Sequence, residues 1–196
     1  MKRVLSFGFI LALALKLPGQ SFDYTLLSRI NGPVHTSTDG FQRGISASVL
    51  PAMIAVPTGI FIYNYCRTKS FTEKKEPYFI AATLGGSAVI TLGLKYGIQR
   101  PRPFVAYGDI IQKDQHVGSY SFPSGHTSSA FALATSVSLF YPKWYVIVPA
   151  GIWACSVAYS RMYLGVHYPT DVVAGALIGS GTAALSFWLS RKVFSS

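Results

Sequence analysis

Apolar runs and short charged breaks alternate along this chain, and the breaks divide it into elements. Sequence without any charge extends over 23 residues from Gly44 to Cys66 and over 18 residues from Pro77 to Leu94. Each run is long enough to cross a bilayer core as a helix, the first kinked by Pro51 and Pro57 where neighbouring helices accommodate it. A third apolar segment opens at Pro123-Ser-Gly-His126 and runs to about Tyr141. A fourth returns from Trp144 to about Ser160 after a turn at Pro142-Lys143, and a fifth begins near Pro169, a favourable first helical residue, and ends at Ser190. The third and fourth are short, which places their ends in the interfacial zone. The pattern predicts an all-α membrane helical bundle with five spanning helices. Small residues on the second (Gly85, Gly86, Ser87) and fifth (Ala174, Gly175, Ala176, Gly179, Ser180, Gly181) offer faces for close helix contact.

Ahead of these spans, Met1-Lys-Arg precedes an apolar stretch from Val4 to Leu15, followed by Leu17-Pro-Gly-Gln-Ser21. This segment fits a signal peptide and equally a sixth, weak span. The expected organisation is residues 1–20 as signal peptide or first transmembrane segment and 21–196 as one membrane domain, with no internal repeat. From Ser21 to Arg43 the chain is polar but carries Phe22, Tyr24, Leu26, Leu27 and Ile30, which predicts a short amphipathic interfacial helix followed by a loop. Between the second and third spans, Gln99 to Phe122 is proline-rich and non-helical, with a loop from Gly108 to Tyr120.

Composition agrees with a membrane protein: hydrophobic residues make up 50% against 12% charged, and mean hydropathy is +0.36. The net charge of +10 admits nucleic acid, anionic lipid or a phosphate-bearing substrate. Nucleic acid is excluded as the partner because the cations are scattered between apolar spans, with no basic soluble face. Cys66 and Cys155 are expected as free thiols, with no disulfide framework, metal site or cofactor. Lys2, Arg3, Arg67, Lys69, Lys74, Lys75, Lys143, Arg191 and Lys192 fall on one side of the predicted bundle, which the positive-inside rule makes cytoplasmic.

The opposite end collects the chemistry: Lys95, Arg102, His126, Arg161, His167, Asp171 and the Ser124-Gly125 pair at a helix start. Charged groups between apolar runs are costly unless paired, wet or functional, so this end reads as a site. Arg and Lys donors suit the oxygens of a phosphoryl group, and a helix N-terminus bearing glycine and serine lets backbone N–H groups approach an anion. Asp171, in the first turn of the fifth helix, can reach back toward His167, fixing its tautomer and making the free nitrogen a nucleophile. His126, on another helix, is left as general acid for the leaving oxygen. His35 and His116 lack such surroundings and read as loop residues. Tyr120, Tyr163, Tyr168 and Phe104 read as an interfacial aromatic belt.

These residues form an ordered signature. Lys95 is followed after six residues by Arg102-Pro103, then by Pro123-Ser-Gly-His126, then by Ser160-Arg161, five residues, His167, three residues and Asp171. The pattern resembles the three-part signature of the type 2 phosphatidic acid phosphatase and vanadium haloperoxidase superfamily, over roughly Pro77 to Ser190. The resemblance implies a membrane phosphatase domain, independent of metal, that works through a phosphohistidine. It makes His167 the nucleophile, Asp171 its orienting partner and His126 the acid, with Lys95, Arg102, Ser124, Gly125 and Arg161 holding phosphate. Because Arg100-Pro101 precedes Arg102-Pro103, the arginine register has two readings; the spacing from Lys95 selects Arg102 and leaves the role of Arg100 open, a secondary phosphate contact being the minor alternative.

The expected activity is hydrolysis of a lipid phosphate monoester or diphosphate, with membrane lipids as the surroundings, in a multi-pass inner-membrane protein whose site faces the periplasm or exterior. The headgroup (undecaprenyl diphosphate, phosphatidylglycerophosphate, phosphatidic acid or lipid A) and the oligomeric state are open at this stage. The same signature also admits a vanadate-dependent haloperoxidase or a non-catalytic lipid-phosphate binding or transport protein.

Overall fold

The computed structural model describes residues 19–32, 38–67, 75–114 and 117–194. The N-terminal apolar segment, the loop cations Lys69 and Lys74, and His35 and His116 lie outside the described residues. Within them the chain forms helices and no strand: α1 (Gly19–Asn31), α2 (Thr38–Ala47), α3 (Val49–Arg67), α4 (Lys75–Ile98), the single-turn α5 (Pro103–Ala106), α6 (Gly125–Phe140), α7 (Trp144–Tyr163) and α8 (Pro169–Phe194).

The boundaries follow local chemistry. α4 ends where Gln99 takes a left-handed conformation, φ +54°, and Pro101 bars its continuation, while Pro103, which suits a first turn, opens the short α5. α6 starts one residue after buried Ser124, and α8 starts at Pro169. The segment expected as a loop up to Arg43 contains a second helix instead. α2 is pinned at its start, where Tyr163 donates to Asp39 Oδ1 at 2.6 Å and Thr38 shares a 2.7 Å bond with the same phenol. That anchor comes from a residue more than a hundred positions away, so local pattern did not reveal it.

α6 is the central element, packed against α8, α7 and α4, while α4 and α8 also pack on each other. α1 and α2 form a collar over the end of α7, with α1 also touching α8. The interior between α4 and α6 is small and polar: Thr91 donates to Ser128 Oγ at 3.0 Å, and Ser87 bonds to the same hydroxyl. Large apolar side chains point outward instead, among them Leu50, Ile54, Val89, Leu177, Leu185 and Trp188. Such an inside-small, outside-apolar arrangement suits lipid as solvent.

Among the described residues, three stretches are long and apolar enough to cross a membrane: Val49–Arg67, Glu76–Ala106 and Pro169–Lys192. α6, at 16 residues, rises about 24 Å, short of a hydrocarbon core about 30 Å thick. α7 is 20 residues long but is diluted by Trp144, Tyr145, Tyr159, Arg161 and Tyr163. The expected third and fourth spans are therefore present as helices but are less apolar or shorter than the other three.

The α6–α8 contact depends on missing side chains. A Cβ added at Gly179 would lie 2.2 Å from Ser128 O and 2.7 Å from Ala132 N, and one at Gly175 would lie 2.7 Å from Ser124 O. These neighbours are backbone and cannot swing aside. Gly179→Ala is expected to force the two helices apart and destabilise the protein by about 1–3 kcal/mol, the usual penalty of overpacking. Gly181→Ala, which meets nothing within 4 Å, serves as the control. Thermal unfolding of both variants in detergent checks this; equal melting temperatures for the two would contradict it.

Candidate functional site

The helix ends named by sequence come together at one end of the bundle. Close packing of α6 on α8 sets Ser124 against the first turn of α8, where Ser124 N donates to Asp171 O at 3.1 Å. Ser124 Oγ accepts from Thr127 at 3.0 Å and does not cap its own helix, so the first-turn N–H groups at Gly125 and His126 keep the outward anion-binding character of a helix start.

His167 lies in the loop between α7 and α8, only 2% exposed. The loop is held by Gly165, which has φ +72° and whose Cβ, if present, would meet Ile111 O at 2.3 Å and Asn31 Nδ2 at 2.8 Å. Asn31 clasps the same region, donating to Ile111 O and Tyr163 O and accepting from Ile111 N. His167 Nε2 lies 3.4 Å from Arg102 Nη1, and Nδ1 lies 3.5 Å from Asp171 Oδ2. Guanidinium can only donate, so the nitrogen facing it carries the lone pair and Nδ1 carries the proton. Nδ1 makes no hydrogen bond in this geometry, and 3.5 Å separates it from the carboxylate that would accept.

Asp171 is fully buried. Its Oδ2 accepts Tyr168 N–H at 2.9 Å, the backward reach expected from its place in the first turn, and its Oδ1 accepts from Arg100 at 2.7 Å. Arg100, whose role the sequence left open, is thus bound to carboxylates. Tyr168 and Phe104 are also corrected: they pack with Leu27 and Ile110 in an internal cluster, Tyr168 only 4% exposed, where the sequence suggested an interfacial belt.

The cations fall into two kinds. Arg161, 2% exposed, donates to Asp114 Oδ2 at 2.9 Å and to Ser46, while its Nε has no hydrogen-bond partner. Buried Lys113 pairs with Asp39 at 3.7 Å, and Arg100 with Asp23 and Asp171. Lys95 and Arg102, in contrast, bond to carbonyls: Lys95 Nζ to Tyr120 O at 2.9 Å and Pro123 O at 3.1 Å, and Arg102 to Gly118 O and Val166 O at 2.6 and 2.7 Å. Among the described residues neither has a carboxylate within ion-pair distance. Two positive charges beside a buried imidazole without a counter-ion form a site for an anion. Lys95, Gly125 and His126 are half-buried, so the way in lies on their side.

Sequence reasoning passed over Asp23, Asn31, Asp39, Lys113 and Asp114. One signal was present: Asp23, Leu27 and Asn31 recur at intervals of four, and all three are buried, whereas Phe22 is 63% exposed. A helical stripe that buries an aspartate and an asparagine calls for partners.

A family model described as the PAP2 superfamily matches residues 77–195. The chain is 40% identical to the undecaprenyl-diphosphatase of Sulfolobus acidocaldarius over 111 residues, covering 55% of this chain and 53% of that protein. It is 37% identical to the lipid A 4'-phosphatase of Bacteroides thetaiotaomicron over 76 residues, 39% of this chain and 34% of that one. The matches thus span about half or less of these relatives' length. Among solved structures, the transmembrane PAP2 type phosphatidylglycerolphosphate phosphatase from Bacillus subtilis superposes with a TM-score of 0.74 or better, at 0.75, with 26% identity, covering 97% of this chain and 96% of that one.

Burial, and after it the charges of Arg161, Arg102 and Lys95, hold the His167 imidazole well below its ordinary range. A depressed value means the folded protein refuses a proton that the unfolded chain accepts, so His167 stays neutral through mild acid and the fold loses stability as pH falls below about 6.5. Removing one cation relaxes this. In nitrogen-15 NMR of the anion-free protein, His167 should titrate below pH 6.5, and Arg102→Gln should move its midpoint upward. A wild-type midpoint at or above about 6.5 would contradict this electrostatic picture.

Proposed function

Because this chain belongs to the PAP2 superfamily, we propose that it is a multi-pass membrane phosphatase that hydrolyses a lipid phosphate monoester or diphosphate at the non-cytoplasmic face. The observation that carries the reading is the neutral, buried His167 with its lone-pair nitrogen beside Arg102 and its other nitrogen toward Asp171. The relatives' names speak of undecaprenyl diphosphate, lipid A and phosphatidylglycerolphosphate, which supports the same substrate class here.

In this mechanism the substrate phosphate settles against Lys95, Arg102, Arg161 and the N-terminus of α6 at Ser124 and Gly125. The His167 Nε2 lone pair forms a P–N bond as the P–O bond to the lipid breaks, and His126 gives its proton to the departing oxygen. Water then attacks the phosphohistidine, its proton passes to His126, and the P–N electron pair returns to His167. Asp171 stabilises the positive charge that develops on the ring. The chain's own cations neutralise the phosphoryl oxygens throughout, so the reaction is proposed to need no metal. The cations of the described cytoplasmic-side positions, Arg67, Lys143, Arg191 and Lys192, support the placement of the site at the outer face, and bacterial inner membrane is the corresponding location.

Purified protein should release phosphate from lipid monophosphates or diphosphates in the presence of chelator, with inhibition by vanadate. His167→Ala should lower kcat by a factor on the order of 10⁴ or more, and His126→Gln by about 10²–10⁴. A panel holding the three named lipid classes, phosphatidic acid and a soluble phosphoester tests this. Full activity of His167→Ala would sink the mechanism, and phosphate release from the soluble ester alone would sink the lipid assignment.

A further inference from the structure

Arg100 turns away from the cations that flank His167 and lies behind the histidine. Its guanidinium rests on the Tyr168 ring, 3.8 Å from the centroid. Its Nη2 donates to Asp23 Oδ2 at 2.7 Å, and its Nη1 to Asp171 Oδ1 and Thr170 Oγ1, each at 2.7 Å. Asp23, from α1, also accepts Thr170 N–H at 3.0 Å and the Thr170 hydroxyl at 2.6 Å. A carboxylate from one helix therefore caps the N-terminus of another, in the place a local Ser or Asp would ordinarily take.

We propose that Arg100 and Asp23 are positioning residues for His167: Arg100 fixes Oδ1 of Asp171 so that Oδ2 stays turned toward His167 Nδ1, and Asp23 holds both Arg100 and the first turn of α8 in register. The inference rests on the reading of His167 as nucleophile. A fully buried carboxylate must be paired and hydrogen-bonded to stay charged. Here each oxygen has a fixed donor, Arg100 on one side and Tyr168 N–H on the other, with the Ser121 hydroxyl as a further partner of the carboxylate, and these donors favour a single orientation. Without Arg100 the carboxylate takes a proton or rotates. Either change removes the carboxylate that faces Nδ1 at 3.5 Å and leaves Arg102 alone to bias the tautomer, so Nε2 loses its lone pair for part of the time. The effect falls on the rate of attack, because Arg100 is not among the groups facing the phosphate position. Lysine cannot replace it, since one ammonium lacks the planar fork that spans Asp23, Thr170 and Asp171 while lying flat on an aromatic ring. Asp23 lies outside residues 77–195, so this contribution is absent from the matched family segment.

The test compares the full chain, purified in detergent, with Arg100→Gln, Arg100→Lys, Asp23→Asn and Arg102→Gln. Arg100→Gln and Asp23→Asn should lower kcat by roughly 10- to 100-fold, the scale seen when a group that orients a functional histidine is lost, with KM and vanadate inhibition constant changed by less than about threefold. Arg102→Gln should raise both binding constants. Should Arg100→Gln raise them in the same way, Arg100 is a phosphate contact and the proposal fails; unchanged kcat in Arg100→Gln and Asp23→Asn also overturns it. If Arg100→Gln does not fold, Arg100→Lys and Asp23→Asn carry the comparison. Nitrogen-15 NMR, with the His167 signal assigned by its loss in His167→Ala, reads the tautomer without turnover: mainly Nδ1–H in the wild type and mixed in Arg100→Gln and Asp23→Asn. Identical tautomer populations overturn the inference. A wild type inactive on every lipid would count against the proposed function and leave the tautomer measurement to decide this one.

Discussion

The approach of α6 to α8 is the contact from which the rest of the site follows. Where Gly175 and Gly179 face Ser124, Ser128 and Ala132, the two backbones touch with no side chain between them. That contact seats the start of α6 on the first turn of α8, through Ser124 N and Asp171 O, and so brings the Pro123-to-His126 turn beside the His167 loop. A separation larger by one methyl group would leave a helix N-terminus on one side and a histidine on the other, too far apart to share a phosphate. Packing in this protein has a chemical consequence as well as an energetic one.

A second constraint is electrostatic. The buried end of the bundle holds five cations and four aspartates within a few side-chain lengths: Lys95, Arg100, Arg102, Lys113 and Arg161 against Asp23, Asp39, Asp114 and Asp171. The four aspartates pair with Arg100, Lys113 and Arg161, and the two cations nearest the proposed chemistry are the two left to carbonyl dipoles. The phosphate of the proposed substrate would supply the counter-charge that folding alone leaves out. Arg161 is the exception among the proposed phosphate ligands, because Asp114 already engages it, and a phosphate there would compete with or sit beside a resident carboxylate.

How much of this was legible in sequence depended on whether a residue announced itself locally. The spacing of Lys95, Arg102, His126, Arg161, His167 and Asp171 marked one end of the bundle, and the structure gathers those positions there. The extents of α4, α6, α7 and α8 were read to within a few residues because proline and charge punctuate them, whereas the single turn α5 lay in a segment read as non-helical. The collar was not legible. Asp23, Asn31 and Asp39 have partners more than 70 positions away, and no local rule connects them. Tyr168 was misread for the same reason: beside a membrane an aromatic residue suggests an interface, yet Arg100 lies on its face and Tyr107 against its edge. The role of Arg100 itself stayed open until its two aspartates were in view.

The cap that Asp23 places on α8 also has a consequence in time. Asp23 and Thr170 are 147 residues apart, so at a synthesis rate of about 5–20 residues per second the aspartate waits on the order of ten seconds for its partner to be made. For the first half of that interval α1 carries an acidic group destined for burial before even Arg100, 77 positions on, has been made, and it must remain near the aqueous side of the bilayer. The last helix to emerge is therefore the one that allows the first described helix to dock. Closing the ring of contacts around His167 is an event that follows synthesis of the first turn of α8.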